Sequence, residues 1–390
     1  MDRRTFCRTF AQCTAWAVCA TWAGPAVRSA ASSPLSFEKG FIQPKVSPYF
    51  TSLGSGRIRC LLCPRQCEVD PGERGYCEVR ENRDGVYYTL VYGNPCAVHV
   101  DPVEKKPFFH VLPGSRSFSL ATAGCNLDCK FCQNWEISQA RPENTHNAFL
   151  PPQDVVAFAV RYGCASVAST YVEPTIFMEY MAEIGAAASQ AGILNVMHSN
   201  GFVNPGPLND LIPNLHAACI DLKSIRDDYY REMTEGWLEP VLNTLKQLKK
   251  HRVHTELVTL LVPGRNDSEK DIRDLSRWVL AELGEDTPLH FSRFYPRYKL
   301  QSLPPTPVET LERARDTAMK EGLRFVYIGN VPGHPGEHTY CPKCRSVVIR
   351  RTGYAVEPTA FDKGHCTQCG TLLPGVWAPP LKPSQAPAGS

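Results

Sequence analysis

Between residues 117 and 330 the chain alternates strand-like and helix-like runs, and this alternation limits the fold more than any other feature. Strand-like runs fall at residues 117–123, 165–172, 194–199, 217–222, 255–262, 289–294 and 325–329. Helix patterns lie between them at 153–162, 176–191, 238–251, 269–283 and 308–321. Repeated β-α units call for a parallel sheet with right-handed crossovers. About six units predict an α/β fold, a partial (β/α)6 TIM-like barrel. A doubly wound open sheet is the alternative, because periodicity does not decide closure. Two helix starts carry capping chemistry. Thr306 is expected as an N-cap before Pro307, with Glu309 closing a capping box, and Ser268 is expected to cap with Asp271 in the glutamate position. Gly322 is placed to stop the last helix.

Cysteine usage comes next. Most of the 17 cysteines fall into three tight groups: Cys60/Cys63/Cys67/Cys77, Cys125/Cys129/Cys132 and Cys341/Cys344/Cys366/Cys369. Tight spacing suits one metal centre per group better than a scattered disulfide framework. Cys164 and Cys219 sit in apolar runs and read as small core residues, whereas Cys96 is ambiguous. The central group has the spacing C-x3-C-x2-C, with no fourth cysteine nearby, just after the strand-like run at 117–123. Three thiolates can hold three corners of a cubane iron–sulfur cluster and leave one iron free for a substrate or cofactor. A zinc site that borrows a fourth ligand is the competing reading.

In the first group the intervals are x2, x3 and x9, among Pro64, Gly72 and Gly75. Four thiolates there suit a structural zinc or an auxiliary iron–sulfur cluster. The last group forms two C-x2-C knuckles 21 residues apart, a zinc-ribbon-like arrangement with zinc as the expected ion. The resulting division is a targeting segment at 1–35, a linker at 36–57, a cysteine-bearing module at 58–116, the barrel at 117–330, the ribbon at 338–377 and a disordered tail at 378–390.

The net charge is +3, and four arginines and one aspartate in the first 28 residues account for it. Bulk charge therefore gives no argument for nucleic acid as a partner. Arg3 and Arg4 followed by an apolar stretch at 10–23 resemble a twin-arginine export signal, with cleavage expected near 29–32. That stretch is too short for a stable membrane span. It points to export to the periplasm, with a cytoplasmic location as the alternative.

The C-x3-C-x2-C motif, with Phe131 before its last cysteine, resembles the radical S-adenosylmethionine superfamily. Further segments narrow the resemblance: Asp101-Pro102-Val103-Glu104-Lys105-Lys106-Pro107, Phe131-Cys132-Gln133-Asn134-Trp135, Tyr171-Val172-Glu173-Pro174-Thr175, Ser199-Asn200-Gly201 and Asp221-Leu222-Lys223. They are similar to the branch of pyruvate formate-lyase activating enzymes, and most similar to the radical enzyme of the AmmeMemoRadiSam system. The resemblance implies that Cys125, Cys129 and Cys132 hold a [4Fe–4S] cluster whose open iron chelates S-adenosylmethionine. Reductive cleavage then yields a 5′-deoxyadenosyl radical that abstracts hydrogen from a protein or small-molecule substrate. It also implies that Glu173, Asn200, Asp221 and Lys223 line the cofactor site, Glu173 against the cofactor's ammonium. Implied partners are an electron donor such as flavodoxin or ferredoxin, and Memo-like and AMMECR-like proteins. Helix-start capping by Glu173 and a local Asp221–Lys223 ion pair are the plainer readings. His290 reads more readily as a satisfied core histidine than as a site residue. The competing class for the whole chain is a non-catalytic zinc scaffold.

Overall fold

The computed structural model describes residues 35–380. Its centre is an eight-stranded sheet whose strands, in spatial order, follow the chain. They are β1 (Ala97–Pro102), β2 (Arg116–Ala121), β3 (Ser166–Ser169), β4 (Leu194–Ser199), β5 (Ala217–Asp221), β6 (His254–Leu261), β7 (Leu289–Arg293) and β8 (Val326–Gly329). β1 runs antiparallel to β2, and every later pair is parallel. β1 and β8 are the two edges, so the sheet is open. This is an open, mostly parallel α/β sheet, and seven of its strands are those expected from the sequence.

The alternation of side chains along each strand gives the sheet two apolar faces. Phe118, Leu120, Val167, Met197 and Ile220 face the helices, among them Pro152–Arg161 and Met178–Ala191. Leu194, Val196, Ala217, Cys219 and Val258 face the other way and meet Val103, Phe108 and Val111. The segment after β1 thus crosses the inner face as a plug, with Phe108 fully buried. Cys164 and Cys219 are both buried, as core residues should be.

A charged network fixes the plug at the N-terminal ends of the strands. The backbone amides of Phe109 and His110 donate to Glu256 over 3.0 and 2.8 Å, and His290 Nε2 lies 2.8 Å from the same carboxylate. Burial alone would raise Glu256, but the hydrogen bonds from His254 and His290 prevail and hold it well below its ordinary value. His290 is therefore a satisfied core histidine.

Some local expectations change. Thr306 is not the N-cap of Val308–Lys320; Pro307 is, and it makes no side-chain cap bond. Thr306 instead donates to the Leu261 carbonyl over 2.6 Å and accepts from the Phe294 amide over 3.1 Å. The tertiary partners win because the hydroxyl is fully buried between strand ends. Ser268 does cap Glu269–Glu282, accepting from the Asp271 amide over 3.1 Å. Gly322 follows the helix Val308–Lys320 with φ +117°. Residues 36–57, read as a linker, contain Phe37–Lys39, Lys45–Val46 and Phe50–Gly54, each paired to a later strand. Within the cysteine module Arg80–Arg83 and Val86–Thr89 form a hairpin, turning at Asp84 and Gly85, both at positive φ. β1, assigned by sequence to the same module, lies in the main sheet. In the C-terminal segment Val347–Thr352 and Ala355–Pro358 pair antiparallel. The twin-arginine segment lies outside the described residues, as does most of the expected disordered tail. Among the described residues no helix is long and apolar enough to cross a membrane.

Candidate functional site

The three central cysteines follow β2, at the C-terminal edge of the sheet, where α/β active sites gather. The chain enters their loop through Gly124 at φ +90°. A Cβ there would lie 2.6 Å from the Cys77 carbonyl oxygen and 2.5 Å from Val79 Cγ1, so the crossing requires glycine. The loop backbone is pinned by donation from Asp128 to the Thr234 carbonyl (3.0 Å) and from Lys130 to that of Met233 (2.9 Å).

Burial pushes the Cys125 thiol well up, raises Cys129 to about 12 and raises Cys132. Each sulfur nevertheless meets a group that favours the thiolate: the Leu127 amide at Cys125, the Lys223 ammonium at Cys129, and the Ser138 hydroxyl and Asn134 amide at Cys132. Thiols that resist ionisation alone, yet are prepared as thiolates, suit a cationic metal centre that completes the charge balance. The residues present therefore fit an iron–sulfur cluster.

Glu173 sits at the end of the segment after β3 and is 2% exposed. It caps the 3-10 turn Pro174–Phe177, as the plainer reading had it. One oxygen accepts from the Thr175 amide (2.9 Å), the Thr175 hydroxyl (2.5 Å) and the Ser199 hydroxyl (2.8 Å), and the other accepts from the Asn200 amide (2.7 Å). Burial raises its pKa against those bonds. The carboxylate braces the ends of β3 and β4. Asn200 continues the brace, donating to Asn126 Oδ1 over 2.8 Å inside the cysteine loop, while Asn126 donates to the Phe202 carbonyl over 2.8 Å.

Asp221 ends β5 between two partners. Lys223 Nζ donates to one oxygen over 2.8 Å, and His198 Nε2 lies 2.8 Å from the other. Burial would raise Asp221, but Lys223 and His198 together hold it far below the usual carboxylate range. Lys223 is desolvated as well, yet Asp221 and Cys129 raise it well above the ordinary lysine value. Its ammonium lies 5.7 Å from the Phe131 ring centroid. Asp221 and Lys223 are thus more than a local pair: they extend to His198 on one side and to the cysteine loop on the other.

Sequence reasoning missed His198, Asn126 and Tyr171. His198 was legible as the inward position after Leu194 and Val196 on β4. Tyr171, at φ +67°, accepts from Asn134 Nδ2 over 2.6 Å through its carbonyl and donates through its hydroxyl to Asp101. Asp101 also accepts from Lys105 (2.9 Å) and buried Lys106 (2.5 Å). The Asp101–Lys106 segment noted in the sequence is thereby tied to the loop after the third cysteine.

The outer cysteines gather separately. Cys341, Cys344, Cys366 and Cys369 bring their sulfurs within 4.8 Å of one another and can hold one ion. Cys60, Cys63, Cys67 and Cys77 line a small cavity that also touches Asn126 of the central loop.

The family model of the Radical SAM superfamily matches residues 119–276. An uncharacterised protein of Methanocaldococcus jannaschii is 46% identical over 327 residues, spanning 83% of this chain and 97% of that protein. A pyruvate-formate lyase-activating enzyme domain from Bacteroides vulgatus superposes with a TM-score of 0.38 at 16% identity, covering 42% of this chain and 98% of that one. A radical SAM methyltransferase from Sphaerobacter thermophilus gives 0.46 at 12% identity, covering 78% and 81%. Both structures are too distant to transfer residue roles. The family match falls on the sheet that carries the cysteine loop: through residues 119–276 this protein belongs to the Radical SAM superfamily, enzymes that use S-adenosylmethionine with an iron–sulfur cluster.

Proposed function

We propose that the chain reductively cleaves S-adenosylmethionine at a [4Fe–4S] cluster held by Cys125, Cys129 and Cys132, and turns the resulting radical on a protein or small-molecule substrate. The observation that carries this reading is the loop after β2, where three half-buried cysteines in C-x3-C-x2-C spacing stand at the strand end within the matched family segment. When bound, the cluster supplies one electron to the sulfonium, which releases methionine and a 5′-deoxyadenosyl radical able to abstract hydrogen.

The chain's own residues do the positioning. Glu173, Asn200 and Asn126 hold the strand ends and the loop in one register, so that the three sulfurs keep a fixed spacing. Lys223 places a positive charge beside Cys129 and offers a contact to the cofactor's carboxylate. Asp221 and His198 hold that lysine in place. A low-potential donor protein of the flavodoxin or ferredoxin class would supply the electron. A glycyl radical on a partner protein and a modified small molecule are the two product classes in keeping with this chemistry.

Electron paramagnetic resonance of the anaerobically reconstituted, reduced protein tests the reading. A cluster signal whose shape changes on adding S-adenosylmethionine, and which is lost in C125A/C129A/C132A, is expected. The absence of any signal that responds to S-adenosylmethionine would contradict it, as would a colourless zinc protein.

A further inference from the structure

The two outer cysteine sets differ in size. A single tetrahedral ion with metal–sulfur bonds of about 2.3 Å needs sulfurs about 3.8 Å apart. The C-terminal set meets this, with Cys341 Sγ 3.5 Å from Cys369 Sγ and Cys344 Sγ 3.6 Å from Cys366 Sγ. Among the described residues it is the one group in which three or more ligand atoms all lie within 4.8 Å. The central trio, which fits an iron–sulfur cluster, is spread more widely than that, and so is the N-terminal set of four. The N-terminal sulfurs still converge, because all four cysteines line one cavity.

That cavity is prepared for thiolates. The Tyr76 amide donates to Cys67 Sγ over 3.5 Å. The fully buried Arg80 guanidinium adds a fixed positive charge beside Cys60 and Cys77. The Gly75 position lies against Cys67, where a Cβ would stand 3.7 Å from its sulfur. Four cysteines around one cavity, with a donor at Cys67, a buried guanidinium beside them and no gathering of the sulfurs within reach of one ion, are the features of a polynuclear centre.

We infer that Cys60, Cys63, Cys67 and Cys77 hold a second iron–sulfur cluster, placed directly behind the loop of the central cysteines, and that only the C-terminal set takes a single ion. The placement follows from covalent neighbours: the Cys77 carbonyl packs on Gly124, one residue before Cys125, and Arg65 Nε donates to the Asn126 carbonyl over 2.7 Å. The two centres therefore share one wall of backbone.

The test uses the full chain, reconstituted without oxygen in the presence of iron, sulfide and zinc. C125A/C129A/C132A isolates the N-terminal site, so its result does not depend on the radical reading of the central trio. It should keep acid-labile sulfide, iron equal to that sulfide at about two to four per chain, and broad charge-transfer absorption. Zinc should stay at about one per chain, as expected for one tetrahedral ion. Zinc near two per chain with no sulfide would overturn the inference, and so would an empty N-terminal site. Should the triple variant fail to fold, the wild-type count decides. More than about four irons per chain supports two clusters, and four or fewer refutes the second. Cys63→Ala/Cys77→Ala should lower the wild-type iron by one cluster's worth; unchanged iron would again refute it.

Discussion

Asp221 joins Lys223 and His198 at the mouth of the sheet, and its removal has a predictable direction. Asp221→Asn leaves Lys223 without its anion and frees His198, so S-adenosylmethionine cleavage should fall about 10- to 100-fold, the usual effect of losing a residue that orients a metal site. Iron content should not change, which separates a positioning role from loss of the cluster. The same aspartate predicts a pH dependence. Its folded-state pKa lies below the unfolded value of about 3.9, so its stabilisation is present above that value and is lost as pH falls through the acid range. Thermal melts between neutral pH and about pH 3 should show a smaller acid loss in D221N than in wild type; parallel loss in both would remove Asp221 as the cause. Lys223 and Asp221 were legible from their place after a strand, and the cysteine loop from spacing alone. The inward place of His198 was legible from its strand, but its pairing with Asp221 and the role of Tyr171 were not, because they come from partners 23 and 70 residues away in the chain.

At the scale of elements, the N-terminal hairpin is fastened to the helix Met178–Ala191 by a buried ion pair. Arg80 Nη1 and Nη2 donate to Glu179 over 2.8 and 2.5 Å, and the same guanidinium donates to the Ile176 carbonyl. Burial would raise Glu179, but Arg80 keeps it below its ordinary value. Glu179→Ala strands a buried cation and should cost about 3–5 kcal/mol in denaturant unfolding. A loss under 1 kcal/mol would mean that water or the carbonyl alone satisfies Arg80. Ser268→Ala removes a single cap and should cost about 1 kcal/mol. Thr306 shows where local rules stop: the capping pattern was present in sequence, but a carbonyl at the end of β6 claimed the hydroxyl. The β-α alternation was readable because each strand and helix carries its own period. The strands before residue 58 were not, since two- to five-residue pieces show no period and depend on partners elsewhere.

For the molecule as a whole, the C-terminal ribbon is bound to the plug beneath the sheet. Buried Arg351 donates to the Phe109 carbonyl over 2.8 Å and to Thr339 Oγ1 over 2.7 Å, with its guanidinium 4.1 Å from the Phe109 ring centroid. Within the ribbon, hydrogen bonds from Ser346 lower Cys344 to about 6, so part of this set is ready to bind metal at neutral pH. Cys344→Ser/Cys369→Ser should lose about one zinc per chain, leave iron unchanged and speed proteolysis within residues 339–377. A ribbon that resists protease equally without metal would show that Arg351 and the apolar contacts hold it alone. The open edge of the sheet, which periodicity could not settle, follows from this arrangement: the chain continues from β8 into the ribbon and leaves β1 and β8 unpaired. The central claim is radical chemistry at the loop after β2. It is tested most directly by chromatographic measurement of 5′-deoxyadenosine from S-adenosylmethionine and dithionite without oxygen. The account predicts formation by the reconstituted wild type and none by C125A/C129A/C132A; equal amounts from both, or none from a wild type loaded with iron and sulfide, would contradict it.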